Sequence, residues 1–274
     1  MIELAPGLEV SCLSYGCMRT TGEWDPAKIT PTQWEEAKEA LTTAYESGYT
    51  FFDHADIYAA GACERVFGEW LSDNPARRHE IQICTKVGIR FDEPHRYDFS
   101  REHIERSCEA SLKRLGIETI DLYLLHRPDY LMHPEEVAAA FEALQTAGKV
   151  RYFGVSNFKA SKVLALQSHL DEMLVSNQVE FSLSHLDPLD DGTLDQALEL
   201  DISIMAWSPL AGGGLKKDPL TAIRWLLKHP SKMIPVIGTR QPERIRSLAS
   251  ADEVKMSREE WYRLLVEARG KGLP

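Results

Sequence analysis

The chain has 274 residues and a net charge of −11, with 43% hydrophobic and 27% charged residues. That balance excludes a disordered chain, which lacks the apolar residues to bury a core, and it argues against nucleic acid, whose phosphates call for a basic stripe. A few local arginines are still enough to hold one small phosphorylated ligand on an acidic protein.

The five cysteines, Cys12, Cys17, Cys63, Cys84 and Cys108, contain no C-x-x-C pair. Neither a disulfide framework nor a zinc site is expected, no metal is called for, and a reducing cytoplasm fits best. The opening "MIELAPGLEV" lacks the basic and long apolar regions of a leader, and no run of about 18 apolar residues occurs. The expectation is a cytoplasmic protein with no membrane partner.

In chain order, strands and helices take turns, the mark of βα units and a parallel sheet. A strand at "CLSYG" precedes a helix over "TQWEEAKEALTTAYESG", where Trp34, Ala37, Leu41, Ala44 and Tyr45 recur at helical spacing and Gly48 ends the run. The strand "TFFDHAD" and a helix from Ala62 to Leu71 follow, then "IQICTKVG", an amphipathic helix closed by Gly116, and "IDLYLLH". The pattern continues through "PEEVAAAFEALQTAGKV", "RYFGVSN", "KASKVLALQSHL", "VSNQVEF", "GTLDQALEL", "ISIMAWSP", "LTAIRWLLKH", "IPVIG" and the helix after "QPER". Helix "SREEWYRLLVEAR" adds an amphipathic tail.

About eight such units, with no low-complexity segment or linker, predict one domain over residues 1–274. The fold class expected is α/β, a (β/α)8 TIM barrel with a short N-terminal hairpin and a C-terminal extra helix. Such barrels place their chemistry at the mouth formed by the C-terminal strand ends. The polar residues there are Asp53 and Tyr58, Lys86, His126, Ser156 and Asn157, Gln178, Trp207 and Ser208, then Gly238 and Thr239. Taken singly, each is as readily structural as functional. Taken together, Asp53, Lys86 and His126 end three consecutive strands, each after an apolar run.

The stretches "FFDHADIY", "TKVG", "DLYLLHRPD", "GVSNF", "NQVEFS", "AWSPL" and "PVIGTRQPERI" resemble, in order, motifs of the aldo-keto reductase family and span nearly the whole chain. The resemblance implies an NADPH-dependent oxidoreductase that reduces aldehydes or ketones to alcohols, with Asp53, Tyr58, Lys86 and His126 as catalytic tetrad. Hydride addition to a carbonyl builds negative charge on oxygen, so a donor must meet it. Tyr58 is the implied acid. Lys86 about 4 Å away would stabilise the phenolate by roughly 4 kcal/mol at an effective dielectric near 20, lowering the Tyr58 pKa by about three units. Asp53 would keep Lys86 charged, and a neutral His126 would offer a ring N–H to the carbonyl oxygen. Asp56 is read as a cap for the following helix or a partner of backbone amides, and His54 stands where the family more often has threonine; neither is given a chemical step.

No G-x-G-x-x-G follows a strand, so a Rossmann site has no support. By resemblance, Gly16 and Met18 border the cofactor, Ser156, Asn157 and Gln178 hold the nicotinamide carboxamide, and Trp207 stacks on its ring. Ser208, Leu210 and Gly212 lie where backbone amides approach the pyrophosphate. Gly238, Thr239, Arg240 and Arg244 open the last barrel helix, where amides and guanidinium groups suit a phosphate and favour NADPH over NADH. Ser247 and Leu248 stand where the family often has a Glu-Asn pair near the adenine. The connection from Leu215 to Thr221 is shorter than is common in the family, which predicts a less enclosed pyrophosphate, and the short tail to Pro274 predicts an open substrate pocket. A monomer acting on a small carbonyl compound is expected. Two other classes are a nucleotide-sensing regulatory barrel with little turnover and a metal-dependent hydrolase using "DHAD" and His126. The hydrolase leaves Lys86 and Tyr58 unexplained.

Overall fold

The computed structural model describes residues 1–215 and 218–272. It begins with β1 (Ile2–Ala5) and β2 (Leu8–Val10), an antiparallel pair, then β3 (Ser14–Gly16), α1 (Pro31–Glu46), β4 (Phe51–Asp53), α2 (Ala62–Ser72) and β5 (Gln82–Val87). The small strands β6 (Ile89–Arg90) and β7 (Arg96–Tyr97) pair antiparallel before α3 (Arg101–Leu115) and β8 (Ile120–Leu125). Then come α4 (Pro134–Thr146), β9 (Val150–Ser156), α5 (Ala160–Gln167), β10 (Ser176–Glu180), α6 (Thr193–Glu199) and β11 (Ser203–Trp207). The last elements are α7 (Pro219–Leu227), β12 (Met233–Ile237), α8 (Pro242–Ala249) and α9 (Arg258–Arg269).

Eight strands, β3, β4, β5, β8, β9, β10, β11 and β12, form a closed parallel barrel, with β12 returning to pair with β3 through Val236 and Ser14. The (β/α)8 barrel, the N-terminal hairpin and the extra helix α9 are thus all present. The hairpin β6–β7 runs from Ile89 to Tyr97, mostly within "RFDEPHRYDFS", a stretch in which the sequence pattern shows no strand. No helix among the described residues is long and apolar enough to cross a membrane. The five cysteines are free thiols.

Local chemistry explains the boundaries. Thr30 and Gln33 form a reciprocal capping box at the start of α1, and Ser257 and Glu260 do the same for α9. Gly116 ends α3 in the left-handed conformation, at a φ of 65°. Asp218 caps α7, its carboxylate accepting from the Thr221 amide at 2.8 Å. Lys216 and Lys217 lie outside the described residues, as do Leu273 and Pro274, so the expectations for the short connection and the tail fall there.

Side chains alternate between the two faces of each strand, and this period places the chemistry. Phe51, Cys84, Leu122, Leu124, Met205, Ile234 and Val236 belong to one buried cluster with Leu4, Leu8 and Val10 of the hairpin. Burial of each such side chain contributes about 1.5–3 kcal/mol. Arg151 fastens the hairpin from the barrel wall by donating to the Gly7 carbonyl at 2.7 Å. Two residues beyond Phe51, Cys84, Leu124 and Met205 come Asp53, Lys86, His126 and Trp207, which share their face at the next layer up. The outward faces pack in separate clusters against the helices.

Candidate active site

The charged centre is Lys86, fully buried at the end of β5. Its Nζ donates to both carboxylate oxygens of Asp53 at 2.8 and 2.9 Å, to the His54 carbonyl at 2.7 Å and to the Tyr58 hydroxyl at 3.1 Å. Gln178 Nε2 adds a further donor to Asp53 Oδ1 at 2.9 Å. An ammonium has three hydrogens, so the four acceptors share them and hold the cation from every side. Because the Tyr58 oxygen accepts from Lys86, the phenol keeps its own hydrogen for another acceptor. His126 stands beside it, with ring centroids 6.0 Å apart and planes at 81°.

Burial works against charge on Lys86, but the Asp53 carboxylate and then Tyr58 outweigh it and hold the lysine pKa above its usual range. Tyr58 goes against expectation. Burial pushes it up to about 12, and the lowering effect of Lys86 does not overcome that, with Asp53 adding to the rise. The phenol therefore stays protonated across the physiological range. His126 is driven well below the usual histidine range by burial, then by the charges of Lys86 and Arg127, which keeps the ring neutral as expected.

The chain around Tyr58 is held in an unusual backbone. Ala59, Ala60 and Gly61 follow one another at positive φ, 47°, 48° and 83°. Behind them, the fully buried Glu64 accepts from Thr85 Oγ1 and from Arg114 Nε, each at 2.6 Å. Asp56 does not cap α2, whose N-cap is Gly61 with no side-chain bond. Its amide donates instead to the Lys86 carbonyl at 3.2 Å, while its Oδ1 is buried without a hydrogen-bond partner among the described residues. His54 is fully buried, edge-on to Phe67 at 4.6 Å, and burial lowers its pKa to about 3. Lys86 adds to that lowering.

Tyr58, Asp53 and His126 line a cavity of about 890 Å³ across the barrel mouth, with Lys86 behind them. All thirteen residues expected at a cofactor line the same cavity: Gly16, Met18, Ser156, Asn157, Gln178, Trp207, Ser208, Leu210, Gly212, Gly238, Thr239, Arg240 and Arg244. Several are also engaged with one another. Asn157 donates to the His126 carbonyl at 3.2 Å and to Ser156 Oγ at 2.8 Å, and accepts from Trp207 Nε1 at 3.0 Å. Ser156 Oγ donates to the Gln178 carbonyl at 2.9 Å. The amides proposed for a carboxamide are therefore fixed in place by their neighbours.

Arg240 pairs with Glu36 at 3.4 Å and packs over Gly22, where a Cβ would come within 2.2 Å of the guanidinium. Leu248 also lines the cavity. Sequence reasoning missed Arg127, Glu36, Ile57 and Ile89 as lining residues. For Arg127 a signal was present, since it directly follows His126 at a strand end; Glu36 carries none, because a helix face brings it in. Among the described residues no group of three or more His, Cys, Asp or Glu is placed to hold a metal ion.

Comparison with known proteins places this geometry. The model of the Aldo/keto reductase family matches residues 12–222. Oxidoreductase YdhF of Escherichia coli is 41% identical over 272 residues, covering 88% of this chain and 91% of that protein. A 6-dehydroglucose reductase of Novosphingobium aromaticivorans is 37% identical over 297 residues, covering 98% of this chain and 95% of its own. The solved structure of an aldo/keto reductase from Klebsiella pneumoniae in complex with NADP and acetate superposes with a TM-score of 0.80 at 25% identity, covering 93% of this chain and 90% of that one. The chain belongs to the aldo/keto reductase family of oxidoreductases.

Proposed function

We propose that the protein reduces aldehydes or ketones to alcohols with NADPH, and that Tyr58 is the acid. The observation that carries this reading is the 3.1 Å bond from Lys86 Nζ to a phenol that faces the cavity while Asp53 holds the lysine. A carbonyl oxygen gaining negative charge would accept the hydrogen that Tyr58 has free. As that proton leaves, the adjacent ammonium stabilises the phenolate, so the cation acts on the transition state more than on the resting phenol. A neutral His126 would direct a ring N–H at the same oxygen and fix its position. Asp53 holds Lys86 in register, and Gln178 in turn holds Asp53.

The cavity fits a dinucleotide on its own residues. It has a volume of about 890 Å³, it carries Arg240 and Arg244 beside the start of α8, and at Gly16 a Cβ would come within 2.7 Å of Val236, so the wall there is bare backbone. Trp207, Ser156, Asn157 and Gln178 would hold the nicotinamide, Ser208, Leu210 and Gly212 the pyrophosphate, and Thr239, Arg240 and Arg244 the phosphate that distinguishes NADPH. Gly238 and Met18 complete the walls. When bound, NADPH supplies the hydride. The NADP of the Klebsiella relative supports the choice of cofactor.

The test is fluorescence titration with NADPH and NADH, followed by loss of reduced-nicotinamide absorbance on adding a reactive aldehyde, for wild type and Tyr58→Phe. The expected result is NADPH binding in both proteins and turnover reduced about 10²–10⁴-fold in the variant. If neither nucleotide bound, the reading would be sunk; binding without turnover in the wild type would favour a nucleotide sensor.

A further inference from the structure

Four arginines line the cavity: Arg240 and Arg244 follow β12, Arg19 follows the adjacent β3, and Arg127 follows β8, which in the closed order β10-β11-β12-β3-β4-β5-β8-β9 lies four strands from β12 in either direction. Arg127 therefore stands across the mouth from the other three, and one dinucleotide phosphate end does not account for it.

The Arg127 guanidinium forms no hydrogen bond or ion pair with any described residue, as is also true of the Arg19 and Arg244 side chains on the same cavity, in a chain with 42 acidic residues against 31 basic ones. The nearest acid in sequence, Asp129, is committed elsewhere: its oxygens accept from the Phe99 and Leu131 amides at 3.0 and 2.9 Å. The guanidinium carbon sits instead 5.7 Å from the centroid of the Trp207 ring, a contact that uses none of its N–H donors. It is half-buried, lines the cavity and is close enough to His126 for its charge to help keep that ring neutral. A partly desolvated, unpaired guanidinium is costly to keep, and here it directly adjoins the residue that would orient the carbonyl.

We propose that Arg127 is a specificity-determining residue that holds an anionic group, carboxylate or phosphate, borne by the carbonyl substrate a few bonds from the reacting carbon. This rests on the reductase reading above. Binding at Arg127 would seat the carbonyl between Tyr58 and His126, so that charge at one end of the substrate orients the other.

The experiment compares kcat/KM for matched pairs with NADPH: succinic semialdehyde against its methyl ester, and glyceraldehyde 3-phosphate against glyceraldehyde. Wild type is expected to prefer at least one anionic member by about tenfold or more, mainly through KM, and the two pairs tell carboxylate from phosphate. Arg127→Met is expected to bring that ratio close to one, and Arg127→Lys to restore part of it, since an ammonium keeps the charge but not the fork. A wild-type ratio near one, with the neutral compounds reduced, would overturn the proposal while leaving the reductase reading intact. So would a preference that survives in Arg127→Met, or a variant whose only change is weaker NADPH binding. If wild type reduced no carbonyl at all, equilibrium binding of succinate to the NADP⁺-loaded protein would still decide: binding lost in Arg127→Met sustains the anion site, and equal or no binding removes it.

Discussion

Asp56→Asn gives a direct reading of what the Tyr58 segment costs the fold. Burial, and then the nearby Glu64 carboxylate, raise the Asp56 pKa to about 7, and the opposing charges of Arg114 and Lys86 do not cancel them. In the unfolded chain the group returns to a value near 3.9. Between those values the folded state binds a proton that the unfolded state does not, so stability is highest below the window and is lost as pH rises through it. A shift of about three units corresponds to roughly 4 kcal/mol over the whole window, of which roughly 3 kcal/mol falls between pH 5 and 8. Asparagine cannot titrate. Urea unfolding of both proteins at steps across that range should show the wild type losing roughly 3 kcal/mol relative to the variant. The offset between them at any one pH also contains the change in hydrogen bonding, so the slope is the diagnostic. Parallel curves would refute the argument and place the strain of this site elsewhere.

Lys86→Met should cost about 3–5 kcal/mol in the same unfolding assay, because Asp53 would be left buried with its cation gone, and turnover should fall with it; a variant of wild-type stability would contradict the ion-pair account. Gly154→Ala should lower stability by about 1–3 kcal/mol, since the new methyl would stand 2.5 Å from the Ser176 carbonyl oxygen and 2.6 Å from Leu124 Cδ2. A thermal melt checks it, and an unchanged midpoint would mean that β9 and β10 can part without penalty. Arg244→Gln should weaken NADPH about tenfold and NADH much less, measured by fluorescence titration; equal losses for both nucleotides would remove Arg244 from the phosphate end.

The barrel could be read from the sequence because its signals are local. Helix spacing and terminal glycines each act within a few residues, so α1, α3 and α9 end close to where they were expected. Asp53, Lys86 and His126 were visible as candidates for a related reason, since each follows an apolar run at a strand end; the reading of them with Tyr58 as a tetrad came from the family resemblance. What escaped were contacts made through space. Arg240 meets Glu36 across 204 positions, and the β6–β7 hairpin is set by pairing Ile89 with Tyr97 rather than by any apolar alternation. The Tyr58 pKa was misjudged because the pairwise attraction of Lys86 was counted and the loss of water around the phenol was not.

The left-handed turn behind Tyr58 has a consequence for how this chain could be improved. Alanine at positive φ carries strain on the order of 1 kcal/mol, and at Ala60, which faces solvent, a glycine or asparagine would release it. The relief would come two residues from Tyr58, in the turn that follows the phenol held 3.1 Å from Lys86. Selection for heat resistance and selection for turnover should therefore pull this position in opposite directions, and variants recovered from the two searches should differ there first.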